Sequence, residues 1–145
     1  MPKLSEGGFK FLEHVSDVIV EAWGKNLNEA FQHVAEGFFE VMVEISKVKP
    51  NIKERIEVKG YDLHSLLYNW LESLLILFET KNLVFSKFKV KINHVNEDFK
   101  LIAEAFGEEY NLSKHSSKVA VKAVTFHEME IKRNKGWKVR VLLDI

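Results

Sequence analysis

The residues of this chain that could do chemistry are few. Six histidines (His14, His33, His64, His94, His115 and His127) are scattered so that no two imidazoles share a helix face at the spacing a zinc helix requires. His33 and His64 fall on the polar faces of predicted helices. His14 stands just before Asp17 in a polar break, and His115 follows Lys114 in a polar stretch, so these two keep a functional reading. Ser16 and Asp17 beside His14 supply the residue types of a nucleophilic triad, but a triad is defined by geometry and not by neighbourhood. There is no cysteine, so thiolate ligands, cysteine nucleophiles and disulfides are excluded. No GxGxxG or GxxxxGK[ST] phosphate cradle can be read either. What remains is acidic. Asp17 interrupts one apolar stretch and Asp144 closes another, one residue before Ile145. If the two stretches are neighbouring strands, Asp17, Asp144 and the Ile145 carboxylate bring their negative charges together; if they are not, Asp144 and Ile145 are a solvated tail. Two unit charges ~4 Å apart repel by about 4 kcal/mol at an effective dielectric of about 20. Such a cluster calls for a bound cation, a neutralising lysine or arginine, or a proton on one acid. Oxygen-only ligation suits a hard ion, Ca²⁺ or Mg²⁺, with Mn²⁺ and Zn²⁺ as alternatives.

The elements that must position these acids follow from periodicity. Residues 1–8 read as a flexible lead-in, and one domain spans 9–145. Phe9–Leu12 and Val18–Trp23 are predicted strands on either side of the His14/Asp17 break. Asn26, with Glu29 in the first turn, caps a helix whose apolar residues recur from Leu27 to about Val43. Gly37 sits in its middle, where close packing on a sheet would explain it. Ile52–Val58 is a strand of mixed polarity expected near a sheet edge. Asp62 caps a second amphipathic helix with an apolar stripe from Leu63 to Phe78.

Beyond Asn82 the period changes to two. Phe88, Val90 and Ile92 alternate with Lys87, Lys89 and Lys91, a half-buried strand with a lysine-rich outer face. Asn96–Asp98 turns into a return strand that Gly107 should end. Glu108–Lys118 has no period and reads as the longest loop. A strand from Val119 through Ile131 and a closing strand from Trp137 complete the chain. Strands, helix, strand, helix and four further strands give an α+β single domain: mostly antiparallel sheet with two main amphipathic helices.

Composition narrows the function classes. The 145 residues are 46% hydrophobic and 29% charged, with 21 basic and 21 acidic side chains. That balance argues against autonomous nucleic-acid binding, although it leaves room for a local basic patch. No apolar core of signal-peptide length opens the chain and no run approaches a membrane span, so the expected address is cytoplasmic.

Specific words in the sequence resemble one family. Phe11-Leu12-Glu13-His14-Val15-Ser16-Asp17-Val18 resembles the N-terminal motif of the archeases. Ala22–Phe31, Phe39–Met42, Asp62–Leu71, Gly107-Glu108, Lys114-His115, Val121–His127 and the closing Asp144-Ile145 follow in the family's order. The resemblance runs from Phe11 to Ile145, with Val15 where threonine is usual and Phe126 where tyrosine is common. It implies an accessory protein that is not itself an enzyme. Archeases act with the RtcB-type RNA ligase, which joins tRNA exon halves using GTP and Mn²⁺. They promote guanylylation of the ligase and allow multiple turnover. The family's metal site maps onto Asp17, Asp144 and Ile145, with Ca²⁺ the expected ion. A lysine needed for activation maps onto Lys114 or Lys122, and His14 and His115 are the other candidates for contact with the partner. Contact with tRNA would be indirect, through the ligase. Two other readings stand beside this one: a general protein-binding chaperone, and a metal-dependent hydrolase in which carboxylates and a cation activate water.

Overall fold

The structure, a computed structural model, describes residues 7–13 and 16–145. His14 lies outside the described residues. The two N-terminal apolar runs form antiparallel strands β1 (Gly8–Glu13) and β2 (Asp17–Gly24). Both helices start where the sequence places their caps. Asn26 accepts the Glu29 amide at 2.9 Å to open α1 (Leu27–Met42). Asp62 accepts the Ser65 amide at 2.7 Å to open α2 (Leu63–Lys81). α2 runs a few residues past Phe78 and stops at Asn82, whose φ of 57° turns its amide back onto the Leu77 and Phe78 carbonyls.

The remaining strands are β3 (Ile52–Gly60), β4 (Leu83–Val95), β5 (Asp98–Glu109), β6 (Ala123–Arg133) and β7 (Trp137–Asp144). They assemble as a four-stranded sheet, β1-β2-β7-β6, and a three-stranded sheet, β3-β5-β4, antiparallel throughout. The α+β class read from the element order is therefore correct, and β3 is an edge strand as its mixed polarity suggested.

The two helices lie between the sheets. α1 packs on β2 on one side and β4 on the other, and α2 packs on β6 and β3. A helix covered on two sides must be apolar around most of its girth. α1 accordingly buries Phe31, Val34, Phe38 and Phe39, and α2 buries Leu66, Leu67, Trp70, Leu71 and Leu74. The Trp70 indole, fully buried, donates to the Phe31 carbonyl at 3.0 Å and so ties the helices together. A Cβ on Gly37 would sit 2.6 Å from Val20 Cγ1, so glycine is what lets α1 close on β2.

Three sequence expectations fail, each for an identifiable physical reason. Gly107 does not end its strand: β5 continues to Glu109, and a Cβ at 107 would lie 1.8 Å from the Val84 carbonyl oxygen. The glycine permits close backbone approach beside the register shift between Phe85 and Lys87. The expected loop holds a one-turn helix, α3 (Leu112–His115), capped by Asn111. The strand expected from Val119 starts only at Ala123, because the preceding amides are committed elsewhere. Lys118 and Val119 donate to the Met42 and Val41 carbonyls at the end of α1, meeting the need of a helix C-terminus for donors.

Candidate functional site

β2 and β7 are central neighbours, and their register sets Asp17 directly opposite Asp144. Opposite residues of an antiparallel pair project from the same sheet face, with Cβ atoms about 4.5–5.5 Å apart. Val18 and Leu143, one step inward, are both buried in the core, so alternation sets the Asp17 and Asp144 positions on the opposite face, at the sheet's end, where Asp17 also meets the cleft beside α1. Asp17 is half-buried and Asp144 exposed. β6 completes the row by placing Ala123 opposite Asp144.

The chain beyond Asp144 is held from both sides. The Ile145 amide donates to the Ser16 carbonyl at 3.2 Å, and the Lys122 amide donates to the Asp144 carbonyl at 2.8 Å. Ile145 itself packs against the core. The sequence left a solvated tail as the alternative for these residues, and the pairing removes it. Asp17 and Ile145 also line a cleft of about 440 Å³ with Phe11, Val18, Val41 and Val119 as its apolar walls. Lys118 and Glu40 pair across this cleft, and Lys118 Nζ also donates to the Glu40 carbonyl at 3.1 Å. Neither residue was singled out from sequence. Lys118 lies in an aperiodic stretch, and only its backbone bonds to α1 bring it here.

The two candidate lysines are placed differently. Lys122 is exposed and its main chain touches Asp144 directly. Lys114 belongs to a separate cluster, where its Nζ lies 2.7 Å from Glu108 Oε1. His115, fully buried, donates from Nε2 to Glu108 Oε2 at 2.8 Å, while its Nδ1 accepts the Asn111 amide at 2.9 Å. Both ring nitrogens are therefore used in holding the segment after β5. Burial raises the pKa of Glu108, but hydrogen bonds from Lys114, His115 and the Lys49 amide outweigh it and bring the carboxyl down to about 2.

A divalent cation fits the residues at the β2–β7 corner. The donors that would hold it are the two carboxylates and the oxygens of Ile145, all hard oxygen ligands of the kind Ca²⁺ or Mg²⁺ prefers. Two like charges directly opposite on neighbouring strands are destabilising on their own, and a cation reverses the sign of that contact. Among the described residues no group of three or more acid or histidine side chains gathers to enclose an ion. Such a donor set would leave part of a six- to eight-fold shell open to water or to another molecule's oxygens.

The chain matches the model of the Archease protein family (MTH1598/TM1083) over residues 9–145. It is 45% identical over 128 residues to the protein archease of Sulfurisphaera tokodaii, covering 88% of this chain and 90% of that one. To the protein archease of Pyrococcus abyssi it is 41% identical over 135 residues, covering 92% and 95%. The fold resembles the solution structure of Methanobacterium thermoautotrophicum protein 1598 with a TM-score of 0.85, at 41% identity over 95% of this chain and 99% of that one. No helix among the described residues is long and apolar enough to cross a membrane.

Proposed function

The chain belongs to the archease family, and from that premise we propose that it is an accessory activator of an RtcB-type RNA ligase, promoting GTP-dependent guanylylation of the ligase and repeated turnover. One observation carries this reading: the direct pairing of Asp17 with Asp144, beside a clamped Ile145. In this reading Asp17, Asp144 and an Ile145 oxygen hold a divalent cation, Ca²⁺ first and Mg²⁺, Mn²⁺ or Zn²⁺ as alternatives. A cation there supplies charge neutralisation for the polyphosphate of a nucleotide when bound. The chain's own residues do the positioning. β2 and β7 fix the two carboxylates, and the Ser16 and Lys122 main chains fix Ile145. Lys122 is the activating lysine, because its side chain is exposed and can reach past the corner while its backbone is anchored there. A cation held by Asp17, Asp144 and Ile145 alone would have room for another molecule's oxygens, which would suit presentation to a partner better than hydrolysis within an enclosed site. Any contact with tRNA at this corner would be made through the ligase, and the expected address is the cytoplasm.

The test is ligase–GMP formation with Asp17→Ala or Asp144→Ala protein. Loss of stimulation with an unchanged fold supports the proposal. Stimulation equal to that of the unsubstituted protein sinks it, as would aggregation suppression of unrelated clients that ignores both substitutions, the signature of a general chaperone.

A further inference from the structure

The outward face of the three-stranded sheet has a use that the β2–β7 corner does not share. Its inward residues, including Ile56, Phe88, Val90, Leu101 and Ala103, are buried in the core. Every second residue therefore points to solvent, about 6.7 Å from the next along its strand. On β4 these are Lys87, Lys89 and Lys91, all exposed. On β3, Lys53, Arg55 and Lys59 point the same way, with Glu57 between them. The central strand contributes Lys100, Ile102, Glu104 and Phe106.

The face is strongly one-signed. The two acids among these residues, Glu57 and Glu104, are already engaged by Lys100, Arg55 and Lys53 at 3.1–3.5 Å. The three β4 lysines have no carboxylate partner among the described residues. Because the whole chain has a net charge of +0, this basic surplus is invisible in the composition and is balanced by acid elsewhere. Phe106, half-buried, lies between the lysine rows, and the ammonium groups of Lys87 and Lys89 each stand 5.7 Å from its ring centroid.

We infer that this face binds a single-stranded nucleic acid, with the lysines of β4 and β3 taking phosphates and Phe106 offering a stacking surface for a base. Rows of cations tracking a strand and an aromatic ring among them are the two components of sequence-tolerant single-strand recognition. An acidic protein surface would use the charge but would give the ring no role. A duplex would present its phosphates without a base free to stack. The inference is independent of the carboxylate corner, which lies on the other sheet.

Fluorescence anisotropy with a labelled single-stranded RNA of about 12 nucleotides, over a salt series, tests it. Binding is expected to weaken with salt. The combined Lys87→Gln, Lys89→Gln and Lys91→Gln variant should lower the log–log salt slope by about 2, at about 0.7 for each phosphate left without its lysine. Phe106→Ala should weaken binding roughly tenfold. Melting temperature checks that each variant is folded, and the lysine variant should be unchanged in it. Asp144→Asn should bind RNA as the unsubstituted chain does, so failure of the metal-presenting reading leaves this result standing. No binding, or binding untouched by the lysine substitutions, overturns the inference. So does complete competition by poly-glutamate with no effect of Phe106→Ala, which would mark the face as a dock for acidic protein.

Discussion

Replacing Asp144 with asparagine should stabilise the protein when no divalent cation is present and make it the less stable of the two when one is added. The carboxylates of Asp17 and Asp144 emerge from directly opposed positions, about 5 Å apart at Cβ. At that distance their repulsion is about 0.8 kcal/mol in water and about 3 kcal/mol at an effective dielectric of about 20. Asp144 is exposed and Asp17 half-buried, so the lower end applies and roughly 1 kcal/mol is relieved by the substitution. For 145 residues the entropy of unfolding is about 0.3 kcal/mol/K, and that relief raises Tm by about 3 °C. Cation at about one hundred times its Kd stabilises the unsubstituted protein by about 2.7 kcal/mol, or about 9 °C. Asparagine removes the charge and leaves only a neutral amide oxygen as ligand, so the variant should gain less. Thermal denaturation in EDTA and then in excess Ca²⁺ or Mn²⁺ reads both arms, and the order of the two melting temperatures should invert. A variant that is less stable in EDTA, or one that gains as much from the cation, refutes the paired-carboxylate site.

Two more predictions concern the neighbouring groups. Glu108 is held at about 2 against 4.5 for an ordinary glutamate, so its contribution is complete above about pH 4.5 and is lost as pH falls through about 2. Urea denaturation should find Glu108→Gln less stable by roughly 1–3 kcal/mol at pH 7, with the difference closing toward pH 2; the range allows for solvent screening at Lys114. A gap that persists at pH 2 would show that packing, and not charge, is responsible. Lys114→Ala should cost stability by up to about 1 kcal/mol through the same cluster. Lys122→Ala should leave urea stability unchanged while ligase–GMP formation falls, and the reverse pattern would transfer the activating role to Lys114.

Most of the fold was legible because the sequence states it locally. The caps at Asn26 and Asp62 and the apolar stripe of α2 each need only neighbouring residues to be read. The lysine alternation of β4 was equally plain, but its meaning was not. Whether Lys87, Lys89 and Lys91 stand alone or join Lys53, Arg55 and Lys59 depends on a strand order that inserts β5 between β4 and β3. Non-local information of that kind also hid the role of Gly107, whose constraint is the Val84 carbonyl on the neighbouring strand. The same limit explains residues 119–122. They carry strand-forming side chains, yet their segment serves the end of α1 and the Asp144 carbonyl, and neither partner is near in sequence. The register break in β6 between Thr125 and Glu130, which sends Phe126 to stack on Tyr68 at 4.4 Å, left no trace that periodicity could detect. Of the candidate site, Asp17 and Asp144 were readable as residue types out of place at the ends of apolar runs. Their meeting was a matter of β2–β7 adjacency, which no local pattern encodes.

The layer order constrains how the two sites could work together. The carboxylates lie at one end of the four-stranded sheet, with Asp17 at the cleft beside the end of α1, and the lysines lie on the outward face of the three-stranded sheet, with both helices between the two sheets. A helix layer alone is about 10–12 Å thick, so a strand held on the lysine face cannot at once lie against Asp17 and Asp144. On that layout a strand bound at the basic face would not reach the carboxylate corner. The effect of that face would be to raise the local concentration of the chain near RNA-bound ligase, a gain set by tether geometry and not by new interactions at the chemistry. That separation has a measurable consequence. Neutralising Lys87, Lys89 and Lys91 should leave ligase guanylylation in the absence of RNA at its full rate, and should reduce activation only when RNA is present and the protein is scarce. Loss of guanylylation without RNA would mean instead that the lysine face docks on the ligase itself.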